Sequence, residues 1–225
     1  HGTLTLNGWN CYVYPANAPE VAYLRNPLYE LLAYKTHPAI YPPLAEICIA
    51  LGSWLGGLFS DSWQSAFFGW KVVLFCAEAL GFGLLLKARK HVRYFSPTLY
   101  LLLPLPVIEI IGQAHNDGLV IAPLGGMIYI LARFWNNRTI KWEWLTGALI
   151  ASMTMMKLIP AVLIVPFARL KISLRQKLFL VVSLGITAVM LALVFFYDAR
   201  AIHNFVGILQ FYNQTQFNSP LLQLI

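Results

Sequence analysis

Apolar residues dominate this chain in long runs separated by short polar stretches. A membrane-crossing helix needs about 20 mostly apolar residues, and four runs approach that length: Trp63–Leu86, Phe95–Ile111, Leu119–Trp135 and Lys177–Tyr197. A fifth, Trp144–Phe167, contains Lys157 and Pro160 near its middle. Proline removes a backbone donor and clashes with the preceding turn, so this run predicts two short helices in a hairpin or one kinked helix. Pro43–Phe59 is apolar but short. It carries Glu46, Trp54 and Gly56-Gly57, which fits an interfacial or re-entrant helix better than a full span. The pattern predicts an all-α integral membrane protein, a polytopic helical bundle.

The first 42 residues follow a different pattern. They hold Tyr12, Tyr14, Tyr23, Tyr29, Tyr34 and Trp9, with turn signals at Asn7-Gly8, Pro15, Ala18-Pro19 and Asn26-Pro27. Pro19–Leu24 and Pro27–Tyr34 predict short amphipathic helices at a bilayer surface, where Tyr and Trp are favoured. The expected organisation is a loop over 1–62, a helical bundle over 63–197, and a second loop with the start of another apolar segment over 198–225.

Composition supports the membrane reading. Of the 225 residues 59% are hydrophobic and 11% charged, with mean hydropathy +0.64. Soluble domains carry about 25% charged residues. The net charge of +7 does not point to nucleic acid, because the basic residues are dispersed between apolar runs. Lys87, Arg89, Lys90 and Arg93 follow the first run. Arg133, Arg138 and Lys141 follow the third, and Arg169, Lys171, Arg175 and Lys177 precede the last. They share one side if Pro43–Phe59 does not cross, and the positive-inside rule makes that side cytoplasmic. Cys11, Cys48 and Cys76 lie far apart, without metal-ligand spacing, and read as unpaired. The chain begins at His1 and ends on an apolar run, so it reads as an internal fragment.

The most unusual stretch is Gly112-Gln113-Ala114-His115-Asn116-Asp117-Gly118. Ionisable side chains where two spans meet are costly to keep idle, which makes them functional candidates. The competing reading is a solvated turn capping the next helix. Glu109 lies just inside the preceding run. Lys157 sits at the expected helix break, either snorkelling to the interface or meeting an anion as a point charge. Lys71 and Glu78, seven residues apart, share a helix face. No metal constellation and no glycine-rich nucleotide loop occur, so no cofactor is expected.

Several segments in order are similar to one known group. They are Asn7-Gly8-Trp9-Asn10-Cys11-Tyr12-Val13-Tyr14-Pro15, Pro19-Glu20-Val21-Ala22-Tyr23-Leu24-Arg25 and His37-Pro38-Ala39-Ile40-Tyr41-Pro42-Pro43-Leu44-Ala45. After them come Glu109 with Gly112–Asp117, Lys157-Leu158-Ile159-Pro160, and Phe217-Asn218. Together they resemble the polytopic glycosyltransferases of the GT-C superfamily, nearest to bacterial mannosyltransferase-like enzymes using polyprenyl-phosphate sugars. Cys11 stands where that family often has proline. The resemblance implies transfer of a sugar, mannose at family level, from a polyprenyl-phosphate donor to a lipid or glycan acceptor. It places the active site at the outer face of a bacterial cytoplasmic membrane. It makes Asp117, His115 and Glu109 the catalytic candidates, with the family's principal acid expected upstream of His1. His37, Tyr41, Glu46, Asn116 and Gln113 become substrate-binding candidates, and Lys157 and Lys71 donor-phosphate ligands. The expected partners are the lipid-linked donor, the acceptor and membrane lipids, with no nucleic acid. The competing functions are a transporter or flippase and a non-catalytic scaffold.

Overall fold

A computed structural model describes residues 1–31, 35–91, 115–134 and 140–214. The expected span Phe95–Ile111, the candidates Glu109 and Gln113, and Phe217-Asn218 lie outside the described residues. Every regular element among the described residues is helical. In chain order they are α1 (Gly2–Leu6), α2 (Pro43–Gly57), α3 (Trp63–Arg89), α4 (Ile121–Phe134), α5 (Ile140–Thr154), α6 (Ile164–Arg169), α7 (Leu174–Leu193) and α8 (Ala199–Gln214). Short 3-10 turns precede α4 (Asn116–Val120) and α6 (Ile159–Leu163), and two more occupy Pro19–Leu24 and Pro27–Leu31. The last two stand where the first loop predicts short helices.

The chain divides into two compact units. One contains Gly2 and Tyr41–Ala192, so α2 packs within the bundle. Pro43 opens α2 at its first position, where its missing N–H is no loss. Ser62 caps α3 by accepting from the Ser65 N–H at 3.2 Å. Lys87 and Arg89 lie in the last turn of α3, where positive charge suits the helix dipole.

Glycine sets the helix spacing. A Cβ at Gly69 would fall on the Gly52 carbonyl and the Gly56 backbone, and one at Gly56 would fall on Ser65. Gly56 therefore meets the start of α3 and Gly52 its second turn, which makes α2 antiparallel to α3. Gly81 and Gly125 bring α3 and α4 together in the same way. Small residues permit this close backbone approach.

The run Trp144–Phe167 resolves into a hairpin. α5 ends at Thr154, and the chain turns through 155–158 before the 3-10 turn that packs back on α5. The break precedes Pro160, as expected for a residue that disfavours helix immediately before it. Ile150 and Met153 of α5 share a core with Phe167 of α6, Met127 and Ile130 of α4, and Leu180 of α7. The expected span Leu119–Trp135 is described only as far as Phe134. Its start differs from the expected one, because Asn116–Val120 winds into a 3-10 turn and helix α4 begins only at Ile121.

Two helices are long and apolar enough to cross a membrane, α3 with 27 residues and α7 with 20. Much of their apolar surface faces outward: Phe68, Phe75 and Leu80 on α3, and Leu178, Val181, Val189 and Met190 on α7. The core helix of a soluble protein would hide these side chains.

The other unit joins Thr3–Ile40 to the chain from Leu193. Its centre is Tyr12, fully buried between the rings of Phe195, Phe196 and Phe205 at centroid distances of 5.2, 5.0 and 5.9 Å. Asn10 donates to the Phe195 carbonyl at 2.6 Å, and Asn204 to the Tyr12 carbonyl at 2.8 Å. Asn7-Gly8 turns the chain with Gly8 at φ 77°, a conformation that costs glycine little. Asp198 pairs with Arg200 at 2.7 Å. Hydrogen bonds from Arg200 hold its carboxyl below the ordinary value of 3.8.

Two outcomes are expected. Gly69→Ala costs roughly 1–3 kcal/mol of stability through overpacking. Gly83→Ala, where a Cβ meets nothing within 4 Å, is tolerated or slightly stabilising. Thermal unfolding in detergent compares the two, and equal midpoints would refute the close approach. A depressed Asp198 carboxyl contributes stability that is fully present above 3.8 and lost as pH falls through its lowered folded value. Carboxyl-carbon NMR should therefore find its midpoint below 3.8, returning towards that value in Arg200→Met.

Candidate functional site

Three stretches distant in sequence meet around the middle of α3. Leu74 of α3, Ala45 of α2 and Leu119 of the 3-10 turn before α4 form a buried cluster. Tyr41, Trp70 and Met156 pack against it. The backbone closes the arrangement, since the Met155 carbonyl accepts from the N–H groups of Leu44 at 2.8 Å and Ala45 at 3.2 Å. These donors belong to the first turn of α2, where full intrahelical pairing is lacking; Ala45 also donates to the Pro42 carbonyl at 3.0 Å. The hairpin turn thus anchors the start of α2.

The charged residues stand on this floor. Lys157 donates to Asp117 Oδ1 in a short hydrogen bond, and His115 Nδ1 lies 3.5 Å from Asp117 Oδ2. The Asp117 carboxylate is therefore shared between an ammonium and an imidazole. Side-chain exposure is 38% for Lys157, 43% for Asp117 and 49% for His115, so the cluster is open to ligand as well as to water. His115 is the N-cap residue of the 3-10 turn but makes no side-chain cap bond. The Asp117 carboxylate turns towards the hairpin rather than remaining a local cap.

Other candidates separate clearly. Asn116 is half-buried beside Asp117. Tyr41 reaches the same floor as Met156, the neighbour of Lys157. Glu46 lies one turn into α2 with no exposed surface, so it braces the site from within rather than presenting a carboxylate to a ligand. Lys71 follows Trp70 on α3 and places its ammonium 5.1 Å from the Phe67 ring centre. Glu78 is buried on the same helix. His37 belongs to the other unit, where its Nδ1 meets the Thr36 hydroxyl at 3.1 Å.

No protein-family model matches the chain, and no curated protein or solved structure matches it. The chemistry must be read from the residues themselves.

The position of the cluster in the bundle is informative. The ring of His91, after α3, lies 6.5 Å from that of Tyr129 near the end of α4. Ile130 of α4, Trp142 of α5 and Leu180 of α7 share one core, and Lys177 donates to the Ala168 carbonyl at 2.8 Å. Lys87, Arg89, Arg133, Arg169, Lys171, Arg175 and Lys177 are consequently grouped towards one end. Leu74 lies 15 residues before Arg89, about 22 Å along α3. The Asp117 cluster is separated from the basic end by that length of helix.

Sequence reasoning missed the Met155 carbonyl as an anchor and the apolar floor of Leu74, Trp70 and Leu119. The only local signal was the turn-forming Lys157–Pro160 segment.

An ion pair this exposed contributes little to folding, typically under about 1 kcal/mol. A double-mutant cycle of Asp117→Asn and Lys157→Met, read by thermal unfolding, should give a coupling below that figure. A coupling of several kcal/mol would make the pair a structural strut.

Proposed function

We propose that the protein is a polytopic membrane glycosyltransferase that moves a sugar from a polyprenyl-phosphate donor to a lipid or glycan acceptor. The observation that carries this reading is the gathering of Lys157, Asp117 and His115 on one partly open floor. A lysine ammonium can meet a lipid-linked phosphate, while a carboxylate and an imidazole can handle a hydroxyl proton. The order of motifs in the sequence, similar to GT-C enzymes, supports the same activity.

Depth supports it as well. The hydrocarbon core of a bilayer is about 30 Å thick, and the cluster stands about 22 Å from the basic end. With that end cytoplasmic by the positive-inside rule, the cluster faces outward from just within the opposite leaflet. A donor whose phosphate rides at the bilayer surface and whose chain stays in lipid reaches such a site without leaving the membrane. The bacterial cytoplasmic membrane is the proposed location.

In the proposed step the acceptor hydroxyl oxygen attacks the anomeric carbon. A new glycosidic C–O bond forms as the anomeric carbon–phosphate oxygen bond breaks, with inversion. The hydroxyl proton passes to His115 or Asp117, and polyprenyl phosphate leaves with the electron pair. An ammonium has three donors. With one on Asp117, the others can stabilise the phosphate as its negative charge grows. Tyr41 and Asn116 border the sugar, and Glu46 holds α2 in place beneath it. Lys71 serves as a further cation for the donor phosphate.

The test uses the complete protein in membranes with radiolabelled polyprenyl-phosphate mannose and crude lipid acceptors. Asp117→Asn and Lys157→Met should each lower transfer roughly 100-fold or more, at unchanged expression, the scale of a lost proton-transfer or charge-stabilising group. Undiminished transfer in both would overturn the site. Absence of transfer by the wild type from any lipid-linked sugar would shift the assignment to a flippase.

A further inference from the structure

The unit containing Tyr12 carries a second feature, separate from the Asp117 cluster. A cleft of about 540 Å³ opens between residues 13–20 and the first turns of α8. Ligand pockets of small molecules commonly fall between about 300 and 1,000 Å³ and combine apolar walls with a few polar groups. Here Val13, Pro15, Ala18 and Ala199 supply apolar surface. Tyr14, Glu20, Arg200, His203 and Asn204 supply the ring and the polar atoms. The last three recur at i, i+3 and i+4 on α8, so one helix face presents them together.

This cleft is held in shape. The backbone N–H of Tyr14 donates to the Asn10 carbonyl at 3.0 Å, and the Trp9 ring packs edge-on to Tyr14 at 4.8 Å. Trp9 in turn donates from Nε1 to the Tyr23 hydroxyl at 2.8 Å. Asn204 is fixed by its bond to the Tyr12 carbonyl. The Arg200 guanidinium lies 5.8 Å from the Tyr14 ring centre, with Asp198 bonded to its Nε and to its terminal nitrogen.

Charge balance selects the ligand class. Asp198 already pairs with Arg200, and Glu20 adds a negative charge to the rim, so the described lining residues offer no surplus cation for a phosphate or carboxylate. It offers instead a guanidinium, an imidazole, an amide and a carboxylate, a dense mixture of donors and acceptors beside an aromatic ring. Vicinal hydroxyls match that mixture, and the less polar face of a sugar ring matches Tyr14 and Pro15. We propose that this cleft binds a neutral saccharide, the glycan portion of the acceptor. The word acceptor rests on the transferase reading above; the binding of saccharide does not.

Saturation-transfer NMR on the complete protein in detergent, without donor, tests this with methyl α-D-mannopyranoside and methyl β-D-glucopyranoside as probes. At least one should give a saturable signal. Glu20→Ala and His203→Ala, both at exposed positions, should each weaken binding roughly tenfold, the loss expected for one hydrogen bond to a charged or polar ring group. Glu30→Ala, which removes the surface pair with Lys35 outside the cleft, should leave binding unchanged. Thermal midpoints equal to the wild type certify that the variants fold. No saturable signal, a signal indifferent to both cleft substitutions, or displacement of the sugar by inorganic phosphate would overturn the proposal. Binding without transfer leaves the cleft standing and removes the transferase reading. Transfer without glycoside binding does the reverse.

Discussion

Backbone contact at glycine is the constraint on which the rest of the larger unit depends. Gly52 and Gly56 let α2 lie directly against Gly69 and the start of α3, and Gly81 meets Gly125 where α3 touches α4. With no Cβ at these points the helices approach to a distance at which larger residues would collide. The consequence is a matter of level. α2 runs back along α3 until its first turn reaches Leu74, and the turn before α4 is brought to the same height. Tyr41 and Asp117, 76 residues apart, come to one floor because glycine sets the helix offsets.

A second contact completes that floor. The hairpin turn at Met155–Lys157 offers its carbonyl to the unsatisfied first turn of α2. This contact satisfies the Leu44 N–H, adds a second acceptor for Ala45, and delivers Lys157 to Asp117. The pair is open to water, so its contribution to folding is small, and in the proposed reading it is free to meet a charged ligand. Glu46 shows the contrary case, a carboxylate with no exposed surface, built into the support beneath the site.

The smaller unit is organised by an aromatic centre rather than by glycine. Tyr12 is enclosed by three phenylalanine rings from the chain just before and within α8, and the two asparagines Asn10 and Asn204 tie the backbones together. Much of the Asn7–Pro15 motif therefore serves packing. Its outer residues, Tyr14 and Pro15, remain at the surface and form one wall of the cleft. One short segment thus contributes both a core and a cleft wall, divided by which side chains face inward.

Hydrophobic run length alone pointed to the helices of the described residues and to α3 and α7 as long and apolar enough to cross a membrane, because burying backbone polar groups in lipid requires long uninterrupted helix. Pro160 predicted the break in the fifth run, since proline acts on its immediate neighbours. The polar stretch at His115–Asp117 stood out for the same local reason, the cost of ionisable groups beside apolar runs. Periodicity could not show that the run from Leu119 would spend its first residues in a 3-10 turn, because apolar run length does not distinguish a tight turn from a helical one. Nor could it show which candidates meet. Lys157 and Asp117 pair, Glu46 is enclosed and His37 belongs to another unit, outcomes set by contacts between segments far apart in the chain. The cleft beside Tyr14 was illegible for that reason as well: Glu20 and Arg200 are 180 residues apart, and only the packing of α8 on the first segment makes them neighbours.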